Sequence, residues 1–498
     1  MGKNKKQNEN LKENLIETAL SKEEVEAKAF ENQQKLNAHQ EAHGGKLLTR
    51  RDLLATGVIS FTGTLLSQPL FSMFLSKSAV AQNAINCAAG TGGWVPLITL
   101  NLSGGANLSS HWLPLDQGGN LLPSYSKMGW GKANAFTADA EFANRAPFFG
   151  GSTLLSGIRA TAAASTLSSS VFVGISVTSQ DDTSTNNFDI TGLARGMGLN
   201  GKILANLGTS NTATGIGQMP AFLPPPAPLV VANYQDITGA LGVGGSLDPL
   251  VAAKRAGTLF QTIQQLSAYQ ASKYVGLNSG NLLQSVITCR TQDNTALVGS
   301  ANGNNTDPRG NAQVAAIWNL QNNTAMNSRD YVFSSLVFNA LNGNAGSANL
   351  NMGGYDYHDG TRTTGDGRDL TAGRIIGQIL QTAMALGKKA FIVVSTDGST
   401  TSPESDLAGA EWTSDGGVRG AMYMIAINPA AAPSAAGSQL GYMNAGQGAA
   451  DPLISSPDRA AAAAFINWLS FNGQMSQIDK VLPRTFSSTE IDRMKKIA

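Results

Sequence analysis

Four polar clusters, each closing a short apolar run, carry the residue types able to do chemistry in this chain. They are Ser103 to Asn107, Thr178 to Asp182, Asp356 to Asp359 and Ser395 to Ser399. Carboxylate, imidazole and amide groups at such positions are ligands for a divalent cation, and a cation held there would polarise a phosphoryl or sulfuryl oxygen or acidify a bound water. Asp356, His358 and Asp397 are the candidate metal ligands, with Asp415 as a fourth. Thr178 and Ser179 are candidate nucleophiles, because they stand beside Asp181 and Asp182 where a strand ends. Each residue also has a plain structural alternative: an Asp-Gly turn at Asp397, a turn aspartate and an exposed imidazole at Asp356 and His358, and a hydroxyl capping a turn at Thr178 or Ser179. His111, beside Trp112, reads as packing. The chain has four histidines, and His39 and His43 lie near its start. A dinuclear zinc centre draws several imidazoles, so the expected cofactor is magnesium or calcium, held by Asp356, Asp397 and Asp415 with amides and water.

Strands and helices must bring these clusters together. Val95 to Leu102, Val171 to Val177, Ala348 to Met352, Ala390 to Val394 and Ala421 to Ile427 are apolar runs without strict alternation, the pattern of strands covered on both faces. Thr371 to Leu386 places Ile375, Ile376, Ile379, Leu380, Ala383 and Met384 on one helical face and closes at Gly387. Ser456-Pro457-Asp458 starts a helix that runs through an alanine stretch to Trp468 and Leu469. Leu247 to Leu277 reads as a further helical region, Gly196 to Gly245 as irregular chain, and Asn302 to Gly310 as a polar loop. The fold class is therefore α/β: a largely parallel central sheet with helices on both faces. In such a sheet the loops at the carboxyl ends share one rim, where residues remote in sequence converge.

Leu100-Asn101-Leu102-Ser103-Gly104-Gly105-Ala106-Asn107-Leu108, Gly354-Tyr355-Asp356-Tyr357-His358 ahead of a helix, and the strand into Ser395-Thr396-Asp397-Gly398 resemble landmarks of an exported bacterial family of unknown function. That family is distantly related to alkaline phosphatases and sulfatases. The similarity spans roughly residues 95 to 430 and implies an alkaline-phosphatase-like sheet, with Asp356 and His358 at one metal-proximal corner and Asp397 at another. Departures from the pattern are informative. Active relatives offer an acidic ligand after the first strand, whereas this chain has Asn101 and Asn107; they follow the late aspartate with histidine, whereas Gly398 follows Asp397 and Gly416 follows Asp415. Asp397-Gly398-Ser399-Thr400-Thr401 also resembles the magnesium loop of adhesion domains of the von Willebrand type, across five residues.

Thr49-Arg50-Arg51-Asp52-Leu53-Leu54, the apolar stretch to Leu75 and Ala79-Val80-Ala81 have the layout of a twin-arginine signal. The expected organisation is a charged, solvated extension over 1-48, the signal over 49-81, and one α/β domain with irregular insertions over 82-498. This places the protein in the periplasm or outside the cell, with the twin-arginine translocase as its export partner and membrane contact only through the leader; the alternative is an inner-membrane anchor formed by residues 53-75. Cys87 and Cys289 are the two cysteines, and an oxidising compartment would allow either a disulfide or two separate buried thiols. Charges balance, 35 Lys and Arg against 34 Asp and Glu, and no basic stripe interleaved with aromatics follows Ala81, which argues against nucleic acid as a partner. The functional expectation is a divalent-metal-dependent hydrolase of phosphate or sulfate esters, acting on a small-molecule ester or a surface component. The alternative is a noncatalytic binding or assembly protein on the same fold.

Overall fold

The computed structural model describes residues 93–139, 148–178, 189–201, 204–210, 228–240, 265, 306–357 and 359–498. The twin-arginine segment, Cys87, Cys289, Ser179, His358 and, apart from Gln265, the helical region expected at Leu247 to Leu277 lie outside them.

Among the described residues eight strands build the main sheet: β1 (Leu97–Leu102), β2 (Ser170–Val177), β3 (Leu204–Gly208), β4 (Leu229–Val230), β5 (Ala345–Met352), β6 (Ala390–Thr396), β9 (Gly420–Ile427) and β10 (Gln439–Leu440), in the order β10-β2-β9-β6-β1-β5-β3-β4. A small hairpin of β7 (Thr400–Thr401) and β8 (Ser414–Asp415) stands apart. Every pairing in the main sheet is parallel except those of β9, which runs against both β2 and β6. The five strands expected from apolar runs are all present. The irregular stretch, however, contains β3, β4 and the helix α4 (Tyr234–Ala240). β3 reads Leu-Ala-Asn-Leu-Gly, too short and polar to stand out as an apolar run.

Helices cover both faces of the sheet. Ile98, Leu100 and Leu102 of β1 pack into one core with α1 (Thr153–Thr161), α5 (Ala312–Ile317), α6 (Arg329–Leu341) and α7 (Arg362–Ala385). Leu97 points the other way, joining Val173 and Ile175 of β2, Phe391 and Val393 of β6 and Met424 of β9 in a second core under α3 (Ile190–Gly196), α8 (Pro457–Phe471) and α9 (Ser488–Met494). This alternation is the two-residue period of a strand buried on both sides. Each large apolar side chain so buried contributes about 1.5–3 kcal/mol.

α7 begins nine residues before the expected Thr371, despite Gly365 and Gly367, which lower helix propensity. Its glycines are explained by contact with α1. A Cβ added at Gly373 would lie 2.0 Å from the Leu154 carbonyl oxygen, and one at Gly157 would lie 2.2 Å from that of Leu370, so the two backbones meet where no side chain fits. α8 starts at its expected Ser456 cap, whose hydroxyl accepts from Arg459 N, with Pro457 in the first turn. Inside α8, Asn467 is fully buried: its Nδ2 donates to the carbonyls of Ala463 and Met494, and its Oδ1 accepts from the N–H groups of Lys496 and Ile497. Among the described residues no helix is long and apolar enough to cross a membrane.

Candidate functional site

Parallel pairing puts the ends of β1, β5 and β6, at Leu102, Met352 and Thr396, side by side. The loops that follow are stitched together. Ser103 N donates to the Met352 carbonyl, and Tyr355 N donates to that of Ser103. The Thr396 hydroxyl donates to the Leu102 carbonyl and accepts from Ala106 N, both at 2.8 Å. Gly104 N donates to Asp397 Oδ1 at 2.7 Å, and on the other side of the same glycine a Cβ would lie 2.6 Å from Asp356 N. Gly104 holds φ at +115°, a backbone conformation that side chains rarely adopt. The sequence Ser-Gly-Gly-Ala is thus required by geometry: one residue without a side chain lets the backbone pass between two aspartates. Asp356 is exposed and Asp397 partly so.

Asp356 and Asp397 both lie against Gly104. His358 is outside the described residues. Asp415 pairs through its backbone with Thr400 in the small hairpin. Thr178 follows β2, whose end pairs with the start of β9; its hydroxyl donates to the Ser455 carbonyl at 2.8 Å, an ordinary chain-anchoring role, and Ser179 lies outside the described residues. Among the described residues no group of three His, Cys, Asp or Glu side chains is placed to hold a metal ion. Carboxylates are oxygen donors of the kind a hard cation takes, its shell completed by water. The nearby Asn101 Oδ1 is buried without a donor, while its Nδ2 is bonded to Asn351 Oδ1.

Beneath the rim runs a buried chain of hydrogen bonds that the sequence reading missed. Asn107 N donates to Tyr357 Oη at 3.0 Å, and that hydroxyl donates to Asp369 Oδ1 at 2.8 Å. The other carboxylate oxygen, Asp369 Oδ2, lies 2.8 Å from His111 Nε2, and His111 Nδ1 lies 3.0 Å from Ser152 Oγ. Ser152 is also the cap of α1, accepting from Leu155 N. The donor and acceptor pattern closes with Ser152 donating to Nδ1 and Nε2–H donating to Asp369, a tautomer assigned from the network. Burial first, and then the adjacent Asp369 carboxylate, push the Tyr357 phenol well above its ordinary range, which keeps it a donor.

Serine, histidine and aspartate in a row resemble a hydrolytic triad, but a triad must present its hydroxyl to a substrate. Ser152 and Asp369 are 0% exposed and His111 is 1% exposed. These residues brace the rim instead: they tie the loop after β1, the loop after β5, α1 and α7 at one buried point.

Comparison with protein-family models, with curated proteins and with solved structures finds no match. The site is thus described by its own geometry alone.

A further brace holds the first turn of α7. Arg362 N donates to Glu411 Oε2 at 2.7 Å, placing an acid at the helix start. Its guanidinium donates to the carbonyls of Gly129 and Ala410 and lies 4.2 Å from the ring of Trp130 and 5.1 Å from that of Trp412. Burial lowers the Arg362 pKa, opposed by Asp366. Sequence did carry a signal for Asp369: counted from Asp369, Ala372, Ile376 and Leu380 recur at helical spacing, so the acid sits on the apolar face. A buried carboxylate on such a face needs partners.

Proposed function

We propose that this is an exported, phosphatase/sulfatase-like protein that binds a divalent cation at the carboxyl rim of its sheet and acts there on phosphate or sulfate esters. The observation that carries the reading is the approach of Asp356 and Asp397 to the two sides of Gly104. The cation would be magnesium or calcium, held by Asp356 and Asp397, with His358 and Asp415 as further candidate ligands. When bound it supplies positive charge beside an ester oxygen and lowers the pKa of water. The residues of the chain do the rest: Thr396 and Gly104 fix the loop after β1, Tyr357 and Asp369 hold it from below, and the exposed Asp356 faces solvent where an ester arrives. The order of the Gly-rich motifs supports the alkaline-phosphatase-like family, and the arginine pair with its apolar run supports export.

A noncatalytic binding or assembly role on the same rim is favoured by two observations. The Thr178 hydroxyl is tied to a backbone carbonyl, and Asn101 and Asn107 stand where active relatives have acids. Titration calorimetry with Mg²⁺ and Ca²⁺ tests the cation site: binding by the native protein, abolished in Asp356→Ala/Asp397→Ala, supports it, and unchanged affinity in that variant removes it. A panel of phosphate and sulfate esters with Mg²⁺, Ca²⁺, Mn²⁺ and Zn²⁺ then separates hydrolase from binder, turnover favouring the former and inactivity of the metal-loaded protein the latter.

A further inference from the structure

β10 ends the described sheet beside β2, and the chain that leaves it meets the segment around Leu115. Met443 N donates to the Leu115 carbonyl at 3.1 Å. The Gln439 side chain closes the same junction, its Oε1 accepting from Leu115 N at 2.7 Å and its Nε2 donating to the Leu115 carbonyl at 3.0 Å. Asp116 and Tyr442 are the chain neighbours of the two residues so joined, and both line one cavity of about 270 Å³. Leu122 and Met443, fully buried, line it as well and belong to a small core with Leu113, Tyr125 and Met128. The Tyr125 hydroxyl accepts from Leu122 N at 3.0 Å and donates to the Pro114 carbonyl at 2.8 Å, so this wall is fixed from behind.

The polar groups of the lining are of two kinds. Asp116 is an acceptor held by its own turn: Oδ1 accepts from Asn120 N at 2.8 Å, while Oδ2 has a long contact of 3.5 Å with Asn120 Nδ2 and keeps its capacity to accept. The bond from the Asn120 backbone holds its pKa below the ordinary carboxylate value, so the group is an anion near neutrality. Among the described residues no Lys, Arg or His forms an ion pair with it. Gln117 and Asn444 bring exposed amides to the same cavity. Asn444 Oδ1 accepts from Gly448 N at 3.2 Å, which leaves Nδ2 to donate. Tyr442, half-buried, and Pro123 add apolar ring surface.

We propose that this cavity binds one pyranose ring of a carbohydrate. Its volume lies just below the roughly 300–1,000 Å³ of sites for drug-sized ligands, which is the scale of a single ring. A sugar hydroxyl both donates and accepts, and the lining supplies a carboxylate to accept and amides to donate. The C–H face of a pyranose is apolar and packs on the rings of Tyr442 and Pro123. An anion is repelled by Asp116, and an ammonium ion, which only donates, would pair with Asp116 but find the amide donors of no use. The inference goes beyond the ester-hydrolase reading and does not rest on it, since neither Asp356 nor Asp397 lines the cavity.

Titration calorimetry of the full chain with the methyl α-pyranosides of glucose, galactose and mannose tests the site, in the presence of a chelator and with tetramethylammonium chloride as the cationic probe. At least one glycoside is expected to bind, and more tightly than tetramethylammonium. Asp116→Asn is expected to weaken it at least about tenfold, the loss of one charge-assisted hydrogen bond. Ala445→Phe fills the cavity from an exposed position and is expected to abolish binding; it carries the test if Asp116→Asn fails to fold by circular dichroism. Asp356→Ala/Asp397→Ala is expected to keep native glycoside affinity, so that failure of the cation site leaves this one standing. No binding of any glycoside, tighter binding of tetramethylammonium, native affinity in folded Ala445→Phe or Asp116→Asn, or loss of binding in Asp356→Ala/Asp397→Ala overturns the proposal.

Discussion

Replacing Gly104 by Ala tests the close approach at the rim, and two other glycines supply its controls. At φ +115° a side chain imposes backbone strain of about 1–3 kcal/mol. The new methyl group would also lie 2.6 Å from Asp356 N and 2.9 Å from Asp356 Cβ, so backbone must move, and overpacking of this kind adds about 1–3 kcal/mol. Gly360 has φ +81° with open space around its Cβ position, so Gly360→Ala should carry the conformational cost alone, about 1–2 kcal/mol. Gly353 has neither constraint, and Gly353→Ala should lie within about 0.5 kcal/mol of the native protein. Urea unfolding of the four proteins, compared at equal slope, gives the order native ≈ Gly353→Ala > Gly360→Ala > Gly104→Ala. Because the clash falls on Asp356, Gly104→Ala alone among the three should also weaken Mg²⁺ or Ca²⁺ binding. A Gly104→Ala midpoint no lower than that of Gly360→Ala would show that the loops after β1 and β5 do not touch there.

Two further outcomes follow from the buried brace and a third from the buried phenols. His111→Ala leaves the Asp369 carboxylate and Ser152 without their shared partner and should cost about 3–5 kcal/mol in urea unfolding; a loss under about 1 kcal/mol would contradict the network. Tyr357→Phe deletes the hydroxyl between Asn107 and Asp369 and should cost about 1–3 kcal/mol with little change in packing, read by the same assay. The third concerns high pH. Burial pushes the Tyr125 phenol up to about 12 from an ordinary 10, and those of Tyr355, Tyr357 and Tyr423 also rise. A folded-state pKa above the unfolded value contributes stability in full below pH 10, and that contribution drains away as pH rises from 10 through the folded pKa. Tyrosinate absorbance should therefore lag behind that of free tyrosine and then appear together with loss of structure; early, gradual ionisation without unfolding would argue against burial of these phenols.

The sheet was legible wherever burial on both faces wrote itself as a run of apolar residues, as in Phe391-Ile392-Val393-Val394 of β6 and Met422-Tyr423-Met424-Ile425 of β9. Direction was not. An apolar run looks the same in a parallel or an antiparallel neighbour, so the reversal of β9 was invisible. β3 was hidden because one face of that half of the sheet is polar: Asn206 bonds Ser347, and Thr99 bonds Asn349 at 3.0 Å, in a strip where apolar side chains were expected. The early start of α7 was hidden by glycines whose reason is a neighbouring helix. At the rim, Asp356 and Asp397 could be singled out in the sequence because each lies in the loop after an apolar run, and those two strands pair with a common neighbour, β1. Ser152 was missed because it acts through His111, remote in sequence, and its residue type carries no record of that; Asp369 was marked by its place on the apolar face of α7, a signal that residue type alone does not show.

The strand order has a consequence for biosynthesis. Among the described strands β2 is hydrogen-bonded to β9 and β10 alone, so a segment that leaves the ribosome early waits for Gly420 and beyond before it gains a described strand partner. Pairings of this sequence separation are slow, and until they form both edges of an apolar strand are open templates for other chains. A product terminated before Gly420 should accumulate in inclusion bodies however sound its first four hundred residues, and maturation of the native chain is correspondingly an event that follows release.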